Sequence, residues 1–174
     1  MSAGKEAPSR PAAGSGRRRS AARLAATQAL YQIALAGPAA ESVVAEFLSY
    51  RAQGEGPAFP LAGADQELFA DIVREAASRR DELDRLIAAV LAEGWTLDRL
   101  ETVLRAILWA GTYELLARAD VPVQVVINEY VDVAHAFFAG KEPAFVNGVL
   151  DRLARSLRPG ELEAAASGKT ARGG

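Results

Sequence analysis

Apolar residues recur along most of this chain at three- and four-residue intervals, the spacing that lays a stripe down one side of a helix. Val126, Ile127, Tyr130, Val131, Ala134 and Phe138 form one such stripe, and Phe145, Val146, Val149, Leu150, Leu153 and Leu157 form another. The second opens at Glu142-Pro143, where proline is tolerated in a first turn. Gly140 is expected to end the helix between them in a left-handed conformation. Leu97, Leu100, Val103, Leu104, Ile107, Leu108, Leu115 and Leu116 mark a longer helix ahead of both, with Thr96 as a suitable N-cap. It stops near Ala119-Asp120, because Pro122 disfavours helix in the residue before it.

Upstream, a helix begins within 17–22 and runs to Ala36, where Gly37-Pro38 stops it. Its apolar side is read as Leu24, Tyr31 and Leu35, with Leu30 and Ile33 beside them. Further helices cover about 40–52 (Val43, Val44, Phe47, Leu48) and 65–79 (Leu68, Phe69, Ile72, Val73, Ala76), the latter capped at or near Asp65. Another carries Leu83, Leu86, Ile87, Val90 and Leu91, with Gly94 at its end. The Arg79-Arg80-Asp81 region reads as a break or a continuation. The loop-forming segment is GEGPAFPLAG at 54–63. VPVQVVI at 121–127 is the one β-like run, and its proline argues against a strand. The pattern therefore predicts an all-α fold of about seven helices in two small packed three-helix subbundles.

Composition divides the chain further. Residues 1–16, rich in Gly, Pro, Ser and Ala, read as a disordered arm. Residues 17–158 form the helical domain, and 159–174 read as a flexible tail. There are no cysteines, which excludes disulfides and thiolate chemistry. No segment has the length and apolarity of a membrane span or a secretory signal, so a cytoplasmic protein is the expectation. The net charge of −2 hides an asymmetry. Residues 1–23 contain Lys5, Arg10, Arg17, Arg18, Arg19 and Arg23 against Glu6 alone, a net +5, which leaves −7 for the remainder. A basic arm on an acidic body points to an anionic partner.

The chemistry available is that of binding. Arginine's planar guanidinium suits phosphate and stacks on exposed bases; a solvated charged terminus is the plainer alternative. Arg19 and Arg23 stand four apart, on one helix face. Phe145 opens the last helix, where it is either core or a stacking platform. Lys141 adds charge at the same edge, and Gln28 and Asn147 offer polar contacts. Gly148 most simply permits close helix packing. Glu114, Asn128 and Glu129 read as groups that satisfy helix ends or pair across the bundle. His135, three residues after Asp132, lacks the second such motif that a carboxylate-bridged metal site requires. With no phosphate loop or nucleophile elbow either, no cofactor is implied and catalysis is not expected.

Five short motifs then carry a resemblance. Arg-Ala-Ile-Leu at 105–108, Tyr113-Glu114-Leu115, Asp120-Val121-Pro122, Ile127-Asn128-Glu129 and Phe145-Val146-Asn147-Gly148-Val149-Leu150 occur in order and at the spacing of the NusB family. The chain resembles that family over roughly residues 17–157. The resemblance implies a bacterial transcription antitermination factor that binds single-stranded boxA RNA together with the ribosomal protein NusE. The complex is then loaded on RNA polymerase during ribosomal RNA synthesis. The implied RNA-binding group is Arg17, Arg18, Arg19, Arg23, Gln28, Lys141, Phe145 and Asn147. By spacing from Gln28-Ala29-Leu30-Tyr31, only Arg19 and Arg23 match the family's helix-borne arginines. The implied partner-binding group is Tyr31, Glu101, Leu104 and Trp109. Many members place an acid before Arg-Ala-Ile-Leu and an arginine after it; here Leu104 and Trp109 take those places. Three readings stand open: an altered partner surface, a substitute carboxylate from Glu101, or Trp109 as core. An apolar Leu104–Trp109 face would also suit a homodimer. Two further functions fit the fold: a helical protein-interaction adaptor, or an RNA-recognition module like that of ribosomal RNA cytosine methyltransferases.

Overall fold

The computed structural model describes residues 13–53 and 63–170. The expected arm ahead of residue 13 and the expected loop at 54–62 lie outside them. The elements are α1 (Ala13–Ala36), α2 (Ala40–Gln53), α3 (Gln66–Ser78), α4 (Arg80–Val90), a 3-10 turn (Leu97–Arg99), α5 (Thr102–Ala117), α6 (Val123–Phe137), α7 (Glu142–Leu157) and α8 (Pro159–Thr170). There is no strand among the described residues.

Helix α5 is the axis. Leu104 and every residue from Ala106 to Leu115 are buried. A helix apolar around its whole circumference must be enclosed on all sides. Here α1, α3, α4, α6 and α7 all pack against it. Helices α1–α3 make the first three-helix unit and α5–α7 the second, with α4 leaning on α5 and α7. Gly111 sits where α5 meets α6 and α7. A Cβ there would lie 3.0 and 3.1 Å from the two Leu150 Cδ atoms and 3.3 Å from Tyr130 Cδ2. Gly111→Val is accordingly expected to destabilise by about 1–3 kcal/mol, the usual effect of overpacking a filled core, measured by urea denaturation. At Gly148, expected to permit close packing, a Cβ would meet only the Arg152 guanidinium, at 3.5 Å.

Several expectations are corrected. Helix α1 starts at Ala13, ahead of the 17–22 window. It turns inward Ala22, Ala25, Ala26 and Ala29 with Leu30 and Ile33, while Tyr31 and Leu35 face outward at 38% and 61% exposure. Alanines let α1 lie close against α3 and α5, so the small residues define the face rather than the large ones. The helix expected from Thr96 onward is interrupted: after the 3-10 turn Leu100 is extended, and α5 begins at Thr102. Arg79 breaks α3 from α4. Gly37 and Gly94 take left-handed conformations, with φ of 70° and 86°. Gly140 does not; α6 ends at Phe137 because Phe138 is extended.

The expected flexible tail holds α8 over 159–170, and residues 171–174 lie outside the described residues. Two charged residues anchor this helix. The Arg158 guanidinium donates to the carbonyls of Glu114, Leu115, Arg118 and Val121 at 2.6–2.7 Å, satisfying the open end of α5. Glu161 accepts from the Val123 backbone N–H at 3.1 Å, capping α6, and pairs with Arg158 at 3.3 Å. Leu162 packs against the core.

Candidate nucleic-acid interface

The N-terminal turns of α1 separate the arginines by depth. Arg17, Arg18 and Arg19 are exposed. Arg18 donates from Nε to the Gly63 carbonyl at 3.1 Å, and its own carbonyl accepts from the Asp65 N–H, which ties this part of α1 to the start of α3. Arg17 and Arg19 have no ion-pair partner among the described residues. Three unspent or half-spent guanidinium groups on successive positions fan around the helix and present several donors to solvent.

Arg23, one turn beyond Arg19, is a different kind of residue. It is 2% exposed and meets the fully buried Glu114 of α5 in a two-point fork, Nε to Oε2 at 2.8 Å and Nη2 to Oε1 at 2.9 Å. Its third nitrogen stands 3.4 Å from Glu129 of α6. Glu114 also accepts from the Tyr130 hydroxyl, and Glu129 accepts from Ser20 Oγ at 2.7 Å. Burial by itself would lower the Arg23 pKa, but the bond and charge of Glu114, with Tyr130 and Glu129, hold it above its already high ordinary value. Arg23 therefore does not share a surface with Arg19 and reaches no external phosphate. It locks α1 to α5 and α6, and so fixes the direction in which the outer arginines point. The pairing of Glu114 and Glu129 across the bundle was expected; its partner was not.

The same network raises a tyrosine. Burial, reinforced by the Glu114 charge, pushes the Tyr130 phenol well above its ordinary range. Burial and the 2.7 Å bond to Asp71 do the same for Tyr113. A folded-state pKa above the unfolded one means stability is full below about pH 10 and declines above it. Tyr113 and Tyr130 are thus expected to ionise only with alkaline unfolding. Tyr113→Phe and Tyr130→Phe should leave the tyrosinate absorbance that precedes the unfolding transition unchanged and remove absorbance from the transition itself.

The remaining expected RNA contacts are distributed along the bundle. Gln28 is half-buried, and its Oε1 has no hydrogen-bond partner. Lys141 and Asn147 are exposed at the start of α7. Phe145 is half-buried there, packed on the core on one side and against Trp95 on the other, with ring centroids 5.5 Å apart. No hydrogen bond or ion pair among the described residues joins this edge to the α1 arginines.

The expected partner group divides in two. Tyr31 and Glu101 are exposed. Leu104 and Trp109 are core, at 7% and 1% exposure, so neither supplies a partner or dimer surface. Trp109 donates from Nε1 to Asp84 at 2.7 Å, and Asp84 also pairs with Arg105 at 2.7 Å. The Arg80 and Arg105 guanidinium groups lie 4.5 and 5.3 Å from the Trp109 ring centroid. Of the three open readings, the core reading of Trp109 is the one observed. The capping role of Arg158 carries no signal in the local sequence pattern.

Known proteins share this fold and much of this sequence. The sequence model of the NusB family matches residues 20–155. The transcription antitermination protein NusB of Caulobacter vibrioides is 47% identical over 140 residues, covering 80% of this chain and 94% of that protein. The protein of the same description from Sphingopyxis alaskensis is 49% identical over 140 residues, with the same coverage of each. Among solved structures, T. maritima NusB superimposes with a TM-score of 0.69 at 30% identity, over 83% of this chain and 96% of that one. A chain from the complex of antitermination factors NusB and NusE with double-stranded RNA gives 0.65 at 26% identity, over 80% and 98%. The chain described here belongs to the NusB family.

Proposed function

We propose that this protein is a transcription antitermination factor that works by binding, holding a short boxA-type single-stranded RNA together with NusE. Family membership supports the activity, and the relative solved with NusE and RNA supports the pairing of partners. The single observation that carries the RNA-binding site is the depth difference along α1: Arg17, Arg18 and Arg19 exposed, Arg23 sealed against Glu114. The outer arginines supply attraction to phosphates. The buried pair orients them. On this reading the loaded complex joins RNA polymerase during ribosomal RNA synthesis in the cytoplasm. No helix among the described residues is long and apolar enough to cross a membrane.

The test is fluorescence-anisotropy binding of a boxA-like strand and a scrambled strand of equal length, at low and moderate salt, with and without NusE. Preference for boxA that tightens with NusE is expected. Equal weak binding to both strands, indifferent to NusE, contradicts the proposal and favours a helical adaptor.

A further inference from the structure

The structure assigns a second RNA contact to the loop between α4 and the 3-10 turn: we infer that Trp95, with Phe145 beside it and Arg99 above it, is a stacking platform for an unpaired nucleobase. This rests on the RNA-binding reading above and adds to it a site on another element. Trp95 is 48% exposed, although it belongs to an ordered turn. Its backbone N–H donates to the Ala92 carbonyl at 3.0 Å, and Gly94 ahead of it takes the left-handed conformation that allows the chain to reverse there. Arg99 holds the loop from the other side by donating to the Gly94 carbonyl at 2.6 Å. The same guanidinium stands 5.6 Å from the Trp95 ring centroid, within cation–π range. The indole is therefore held in place while much of its surface meets water.

The chemistry of the edge selects a base over other occupants. Trp95 and Phe145 are tilted by 48°, so their rings make a shallow notch rather than a closed stack. A flat heteroaromatic group fits such a notch. Arg99 on the ring and exposed Lys141, whose carbonyl caps the Phe145 N–H, supply positive charge beside it. Glu93 in the loop and Asp98 in the 3-10 turn are exposed close by in the chain, so the edge is no general trap for phosphate. Affinity here comes from the π-face, which every base possesses. Phe145 makes the notch continuous with the RNA-binding group that the sequence motifs imply.

The test uses the full-length protein and a labelled boxA-like strand. Tryptophan emission reports the platform directly, because the chain has two tryptophans and the other, Trp109, is buried. RNA binding should quench wild-type emission, and Trp95→Phe should abolish most of the quench while keeping affinity within a few-fold. Trp95→Ala should weaken binding roughly 5- to 150-fold, the range of a lost base–aromatic stack, with an unchanged salt slope. Circular dichroism establishes that both variants fold. RNA binding without quenching, and with wild-type affinity in Trp95→Ala, overturns the platform and leaves the RNA-binding reading standing. Quenching by NusE alone, with none from RNA, assigns the edge to a protein and also overturns it. Absence of RNA binding by the wild type overturns both.

Discussion

Arg23→Ala is expected to lower the free energy of unfolding by about 3–5 kcal/mol, the usual result of removing one partner from a buried ion pair. That is a large share of the roughly 5–15 kcal/mol by which a domain is stable. The cause is the group left behind. Glu114 is fully buried, and without the guanidinium its carboxylate keeps only the Tyr130 hydroxyl. Glu114→Ala should cost a similar amount by leaving the buried Arg23 with Glu129 alone, at 3.4 Å. The double variant should cost clearly less than the two together, because each single change includes the penalty of the orphaned partner. Urea denaturation of the four proteins measures the cycle. Additive losses would mean that the two side chains act independently, against the geometry.

The second large effect belongs to the exposed arginines. Replacing Arg17, Arg18 and Arg19 together by alanine should leave stability within about 0.5 kcal/mol, as is usual for surface positions. RNA binding should fall steeply. If each guanidinium neutralises one phosphate, the log–log salt slope becomes shallower by about 2, at roughly 0.7 per contact for a single strand. Extrapolated from 1 M salt, that is a loss on the order of 100-fold at 0.1 M. The two predictions separate what a count of arginines would merge: one guanidinium governs folding and three govern binding.

This separation was only partly legible in the sequence. The stripes of α6 and α7 are built from large apolar residues, and their faces were read correctly. The inner face of α1 is mostly alanine, which contributes little to a periodic signal, so periodicity picks out Tyr31 and Leu35 instead. The burial of Arg23 follows from that face, since it stands among Ala22, Ala25 and Ala26. A usable clue existed on the other partner. Glu114 is the one charged residue in the run from Ala106 to Leu115, and a carboxylate in a helix enclosed all round needs a cation from elsewhere in the chain. Its partner is 91 positions away, and no local pattern connects them. Trp109 misled in the opposite sense. It stands where the family resemblance implies an arginine, and it is core because Asp84 satisfies its indole N–H while Arg80 and Arg105 cover its ring. Helix α8 was missed because its own sequence is small and polar; two residues near its start, Arg158 and Glu161, fasten it to the ends of α5 and α6.

The most direct measurement compares salt slopes for boxA-like RNA in three proteins: wild type, the Arg17, Arg18 and Arg19 triple alanine variant, and R23M/E114L/Y130F, which replaces the buried network by apolar side chains of similar bulk. Such replacements are often neutral for stability or better, so the last protein should fold, with apolar packing in place of the ion pair holding α1 and its outer arginines where they are. The predicted result is a shallower slope in the triple alanine variant and a wild-type slope in R23M/E114L/Y130F. A wild-type slope in the first, or a shallower one in the second, would contradict the division between exposed and buried arginines on which the proposed site depends.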